Sequence, residues 1–137
     1  SNTDMRTMVT AIELHYPSTL HLFNMIYSFT KVDETTYKDQ DGTLYKPIPN
    51  YEEYFINEHG NVFSTKYGKW RELNTHLNEN GYRRVTLRQN GKTVVRRIAR
   101  LCADAFISTN DQYYQQVRHI DGDKLNDHYS NLRWFNP

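Results

Sequence analysis

The 137-residue chain is 37% hydrophobic and 24% charged with a net charge of +1, the balance of an ordinary soluble globular protein of one domain, with room for an appendage. No apolar run approaches the roughly 20 residues that span a bilayer, and no charged-then-apolar leader opens the chain, so neither a membrane nor a secreted setting is expected. The lone Cys102 excludes an internal disulfide and any multi-cysteine zinc site, which points to a reducing, intracellular compartment.

Residues 1–43 read as an N-terminal extension. Leu20, Leu22, Phe23, Ile26 and Tyr27 follow Pro17-Ser18 as an apolar stripe at spacings of three and four, which predicts a helix over Ser18 to Phe29. Its simplest use is to pack on the domain, with a partner-binding helix as the alternative. Polar and acidic residues run from Asp33 to Asp41 and close on Asp41-Gly42, a turn signal that places a boundary there. Residues 1–59 hold four basic groups against nine acidic ones.

From Tyr45 the pattern changes to short strands. Tyr45 to Asn57 and Gly60 to Ser64 read as a hairpin turning at Glu58-His59-Gly60. Gly81 to Arg88 and Lys92 to Arg96 form a second hairpin through Asn90-Gly91, a strong two-residue turn signal. Ile98, Leu101, Cys102, Ala105 and Phe106 then repeat at helical spacing, with Arg97, Arg100 and Asp104 on the other side.

The charge of this middle segment is one-sided. Between Lys66 and Leu101 there are ten basic groups and only Glu72 and Glu79 against them, interleaved with Tyr67, Trp70 and Tyr82. That is the electrostatic footprint of a nucleic-acid surface. A solvated cationic face, or a patch meeting an acidic partner, is the plainer alternative. Period two puts Arg84 and Arg88 on one face of their strand and Arg83 on the other. Arg83, Arg84, Arg88, Lys92, Arg96, Arg97 and Arg100 are the expected DNA-facing residues, since arginine is the commonest reader of guanine and phosphate.

The last segment contains Val117-Arg118-His119-Ile120-Asp121-Gly122-Asp123-Lys124-Leu125-Asn126-Asp127, followed by Asn131-Leu132-Arg133-Trp134. It resembles the HNH nuclease core. Tyr45 to Ser64, Gly81 to Leu87 and Ala99 to Phe106 together resemble the nuclease-associated modular domain that precedes HNH cores in phage and intron homing endonucleases, with Ala99 where that family usually has His. The likeness runs over about residues 45–135. It implies an α+β fold of small antiparallel β-hairpins with a crossing helix, closed by an HNH-like ββ hairpin. The implied divisions are the extension 1–43, a DNA-binding module 44–107 and the HNH-like hairpin 108–137.

The resemblance implies His119 as the base that deprotonates a water and Asn131 as the residue that holds the imidazole or shapes the loop. Two departures matter. Arg118 stands where the family places an Asp, Asn or His that binds the cation, and the second ligand would fall about nine residues past Asn131, where the chain has reached Pro137 and the final helix is lacking. Asp121 and Asp123 are weak candidates for a metal, since they flank Gly122 in a tight turn that explains them without one. The expectation is therefore a homing-endonuclease-like protein of phage type, in the cytoplasm of a host cell, that binds double-stranded DNA and has lost most or all cleavage. No cofactor is expected, or magnesium if the site is active. A magnesium-dependent nickase is one alternative; a protein-binding inhibitor that engages a host or competing protein is the other. Arg118 beside a phosphate could replace part of the missing positive charge.

Overall fold

The computed structural model of the protein describes residues 29–109 and 116–137. Except for Phe29, the helix expected over Ser18 to Phe29 lies outside them. Six strands form one antiparallel sheet in chain order: β1 (Thr30–Lys31), β2 (Tyr37–Lys38), β3 (Leu44–Ile48), β4 (Tyr51–Asn57), β5 (Val62–Ser64) and β6 (Arg71–Glu72). A three-stranded antiparallel sheet follows, with β7 (His76–Leu77), β8 (Arg83–Gln89) and β9 (Lys92–Arg97). Then come α1 (Ile98–Phe106) and a two-stranded hairpin of β10 (Gln116–His119) and β11 (Leu132–Phe135). Among the described residues α1 is the one α-helix, and no helix is long and apolar enough to cross a membrane.

Two differences from the expected layout have local causes. The run from Tyr45 to Asn57 is two strands, because Pro49 cannot donate to a ladder and Asn50 adopts φ 69°, so the chain reverses there. Residues 29–43 are also no separate extension: β1 and β2 pair into the sheet beside β3, so the division expected after residue 43 falls inside a sheet. The second hairpin follows its turn residues. Asn90 and Gly91 both have positive φ (55° and 76°), the geometry of a two-residue connection, and Gln89 lies opposite Lys92.

Alternation on β4 and β5 makes the large sheet two-sided. Tyr54, Ile56 and Val62 join Ile48, Val85, Leu87, Ile98, Ala99, Leu101, Cys102 and Leu132 in one buried core, to which all three sheets and α1 contribute. Phe55 and Phe63 face the other way. There Phe29 meets Tyr45 edge-on at 4.9 Å and Trp70 at 5.0 Å, and Phe55 also lies 5.0 Å from Trp70. Tyr54 of the large sheet also bonds β8: its Oη accepts from Arg88 N (2.9 Å) and donates to Arg88 O (3.2 Å).

α1 is the central strut. It packs against β3, β4, β8, β9, β10 and β11, so the C-terminal hairpin is held to the rest of the fold by core contacts. Gly60 lets the turn after β4 approach this strut. A Cβ built there would lie 2.7 Å from Ile98 Cγ2 and 3.1 Å from Asp127 Cβ, and its φ of +83° suits glycine.

Candidate functional site

The loop between β10 and β11 is closed by its own polar side chains. Asn131 Nδ2 donates to Asp121 Oδ1 and to Asn126 O, both at 2.9 Å, while Asn131 Oδ1 accepts from Asp121 N at 3.1 Å. Asn126 Nδ2 donates to Asp121 Oδ2 at 3.0 Å, and Asp123 N donates to Asp121 Oδ1 at 2.8 Å. Asn131 thus clasps the loop rather than touching the imidazole. Hydrogen bonds from the Asn126 side chain first, then from Asp123 N and Asn131, hold the Asp121 carboxyl below its ordinary pKa.

His119 ends β10 with its side chain 5% exposed. Its Nε2 lies 2.7 Å from Asp127 Oδ1, and Asp127 Oδ2 lies 3.0 Å from Arg83 Nη1; the Asp127 side chain is 1% exposed. An ionised carboxylate can only accept, and the second Asp127 oxygen is taken by the Arg83 guanidinium. Nε2 must therefore carry the proton toward Asp127, which leaves Nδ1 as the nitrogen of neutral His119 able to take another. The sequence pattern did not bring His119 and Asp127 together. Arg83, expected at the DNA face, is instead committed to Asp127 and lies 44 positions away from it in the chain.

One edge of His119 borders a cleft of about 370 Å³ lined by Tyr82, Arg97, Ala99, Arg100, Gln116 and Val117. The imidazole stacks on Tyr82 with ring centroids 6.0 Å apart. Arg97 lies over the same Tyr82 ring at 4.1 Å and Lys124 at 4.8 Å, while Arg100 lies over Trp134 at 4.7 Å. Arg100 also approaches Asp104 at 3.6 Å, and burial raises that carboxyl despite the nearby guanidinium. The cleft is cationic and aromatic, a combination suited to a phosphate and a stacked ring.

Arg118, adjacent in the chain, does not share this cleft. Successive strand residues point to opposite faces, and Arg118 is exposed on the outer face of the hairpin whereas His119 is turned inward. A phosphate held against His119 therefore lacks the direct guanidinium contact that the sequence reading gave Arg118.

The outer face of the three-stranded sheet carries Arg84, Arg88 and Arg97. Arg84 lies directly opposite Arg97 on β9 and His76 on β7; Arg88 lies opposite Thr93, and Thr86 opposite Val95. Arg84 Nε is buried without a hydrogen-bond partner among the described residues. Lys92 and Arg96 have the other parity along β9, although both are exposed at the edge of the sheet. Of the seven basic residues expected at DNA, Arg84, Arg88 and Arg97 share one face, and Arg97 also reaches the cleft.

The donor set fits a divalent cation poorly. The Asp121 carboxylate is engaged by Asn126, Asn131 and Asp123, Asp123 Oδ1 accepts from Leu125 N, and Asp127 is held between His119 and Arg83. Arg118 offers no acceptor, and among the described residues no three His, Cys, Asp or Glu side chains gather as a metal site. Cys102 offers no nucleophile: burial first, then Asp127 and Glu58, push its thiol up to about 12.

The NUMOD4 motif matches residues 45–88. The chain is 39% identical over 89 residues to H-N-H endonuclease F-TflII of Escherichia phage T5, covering 64% of this chain and 45% of the relative. It is 35% identical over 91 residues to DNA endonuclease I-HmuI of Bacillus phage SP01, covering 66% and 51%. An uncharacterized HNH endonuclease, L245 of Acanthamoeba polyphaga mimivirus, is 34% identical over 91 residues, 66% of this chain and 27% of the relative. Among solved structures, the HNH homing endonuclease I-HmuI, described for its DNA binding and cleavage, superposes with a TM-score of 0.61 at 34% identity, over 67% of this chain and 52% of that one. The chain thus spans about half, or less, of the length of these relatives.

Proposed function

We propose, on the premise that the chain belongs over two thirds of its length to the HNH homing endonuclease family, that it binds double-stranded DNA and cleaves it weakly or not at all. The observation that supports binding is the row of His76, Arg84 and Arg97 across three strands, with Arg88 on the same face and Arg84 Nε lacking a partner among the described residues. Like charges directly opposite on a sheet work against folding, so Arg84 facing Arg97 makes sense as part of a surface completed by an anion. A β-sheet face of this kind can lie against a major groove, with phosphate contacts setting position and base contacts setting sequence.

Weak cleavage follows from the donor set. HNH chemistry needs a base for the attacking water and a cation to neutralise charge developing on the phosphate. This chain's own residues supply the first half: His119 held by Asp127, with Nδ1 left to accept a proton. Arg118 and the internally bonded Asp121 and Asp127 do not supply ligands for the second.

A second reading, a magnesium-dependent nicking enzyme, is favoured by the same His119–Asp127 pair, which holds an imidazole at the edge of the cleft with one ring nitrogen left to take a proton. Supercoiled plasmid incubated with the protein and magnesium decides between them. We expect duplex binding with no nicking above background. Nicking that His119→Ala abolishes establishes the second reading, and failure to bind duplex at any salt concentration leaves the protein-inhibitor reading in place of both.

A further inference from the structure

The C-terminal hairpin repeats the feature seen on β8 and β9. Arg118 on β10 lies directly opposite Arg133 on β11, and both are exposed. Neither forms a hydrogen bond or an ion pair with any described residue, although Arg83, Arg100 and His119 nearby all have acidic partners. Two guanidinium groups face one another across a ladder whose side chains stand only about 5 Å apart at the Cβ atoms, which opposes hairpin formation. Nothing in the fold requires them. Their neighbours on the same strands, Val117, His119, Leu132 and Trp134, turn inward and supply the packing.

We infer that Arg118 and Arg133 together form a binding site for a backbone phosphate of duplex DNA on the outer face of the β10–β11 hairpin, separate from the His119 cleft. The inference extends the DNA-binding reading above. A phosphate oxygen pair placed between two planar, five-donor guanidinium groups takes hydrogen bonds from both and cancels their repulsion, an arrangement that lysine does not reproduce. The site also gives a physical reason for arginine at position 118, one residue before His119. There it fixes the strand through a neighbouring phosphate, and it offers nothing to a cation.

The test uses the whole chain and a labelled mixed-sequence duplex, with affinity measured by fluorescence anisotropy across salt. The Arg118→Gln/Arg133→Gln double variant keeps a polar side chain with two of the three methylenes and removes both charges. Its plot of log affinity against log salt is expected to flatten by about 0.9 for the one phosphate released. Arg133→Glu is expected to weaken binding further while raising the melting temperature of the free protein by roughly 1–4 °C, because it turns a repulsive cross-strand pair into an attractive one. A purely structural pair would instead lose stability in both variants. If wild type binds duplex and the double variant gives the same slope, the inference is wrong while the DNA reading stands. If wild type binds no duplex, tripolyphosphate decides: a melting temperature raised in wild type and not in the double variant keeps the phosphate site and rejects the DNA partner. An equal response in both, or none, rejects the site.

Discussion

His119 and Asp127 lie eight positions apart, yet both are almost wholly buried, and a 2.7 Å contact from Nε2 to Oδ1 joins them across the loop that Asn131 closes. The second Asp127 oxygen faces Arg83 of β8. One carboxylate therefore fixes the imidazole and ties the C-terminal hairpin to the middle sheet. Removing it leaves a guanidinium and an imidazole facing each other without a counter-charge. Asp127→Ala should cost about 3–5 kcal/mol in urea unfolding, and Asp127→Asn, which keeps an acceptor for Nε2, about 1–3 kcal/mol. Near-equal losses for the two variants would mean that packing, and not charge, is what Asp127 supplies.

The DNA face predicts a second result. Arg84→Ala/Arg88→Ala removes two groups from one face of β8, and the salt slope of duplex binding should flatten by about 1.8 if each neutralises one phosphate. Thermal stability should hold or rise, since Arg84 faces Arg97. An unchanged slope would move the contact surface off this sheet.

Calorimetry with magnesium should show no saturable binding at the hairpin, because the Asp121 and Asp127 carboxylates are held by Asn126, Asn131, His119 and Arg83. Saturable binding that Asp121→Ala or Asp123→Ala removes would overturn this account of the donor set.

Acid should loosen the loop in a defined window. The Asp121 pKa is lowered from 3.8 on folding, so the unfolded chain binds the proton more readily and the contribution is complete above about pH 5. It is lost as pH falls below 3.8 and through the depressed folded value. Between pH 5 and pH 3, Asp121→Asn should lose less of its urea midpoint than wild type does. An identical pH dependence in the two proteins would place the acid sensitivity at other carboxyls.

Gly60 offers a test of how tightly the turn after β4 is wedged against the site. Gly60→Ala must adopt φ +83° and also push Ile98 Cγ2 away from 2.7 Å, whereas Gly91→Ala meets open space at φ +76°. The first should cost about 2–4 kcal/mol and the second about 1 kcal/mol. Equal costs would show that Ile98 moves aside freely.

Local rules written in the chain were enough for much of this. Asn90-Gly91 set the β8–β9 turn and its register, since only residues tolerant of positive φ close a two-residue hairpin. The 3.6-residue spacing of Ile98, Leu101 and Cys102 set the helix and its buried face. Period two placed Arg84 and Arg88 together, and the His119 to Trp134 motif carried the family resemblance that the relatives then supported. What folding in three dimensions decided was partnership. β1 and β2 are two-residue strands with no periodicity to read; β3 offers β2 an edge, and β2 offers one to β1. Arg83 looked like any other arginine of the basic segment until the hairpin brought Asp127 to it from 44 positions away. Arg118 looked like a neighbour of the His119 chemistry until strand alternation turned it to the other face, opposite Arg133. Sequence patterns report the period of a backbone and so assign faces within one element. Which charge meets which carboxylate depends on how separate elements pack, and α1 sets that here by holding all three sheets to one core.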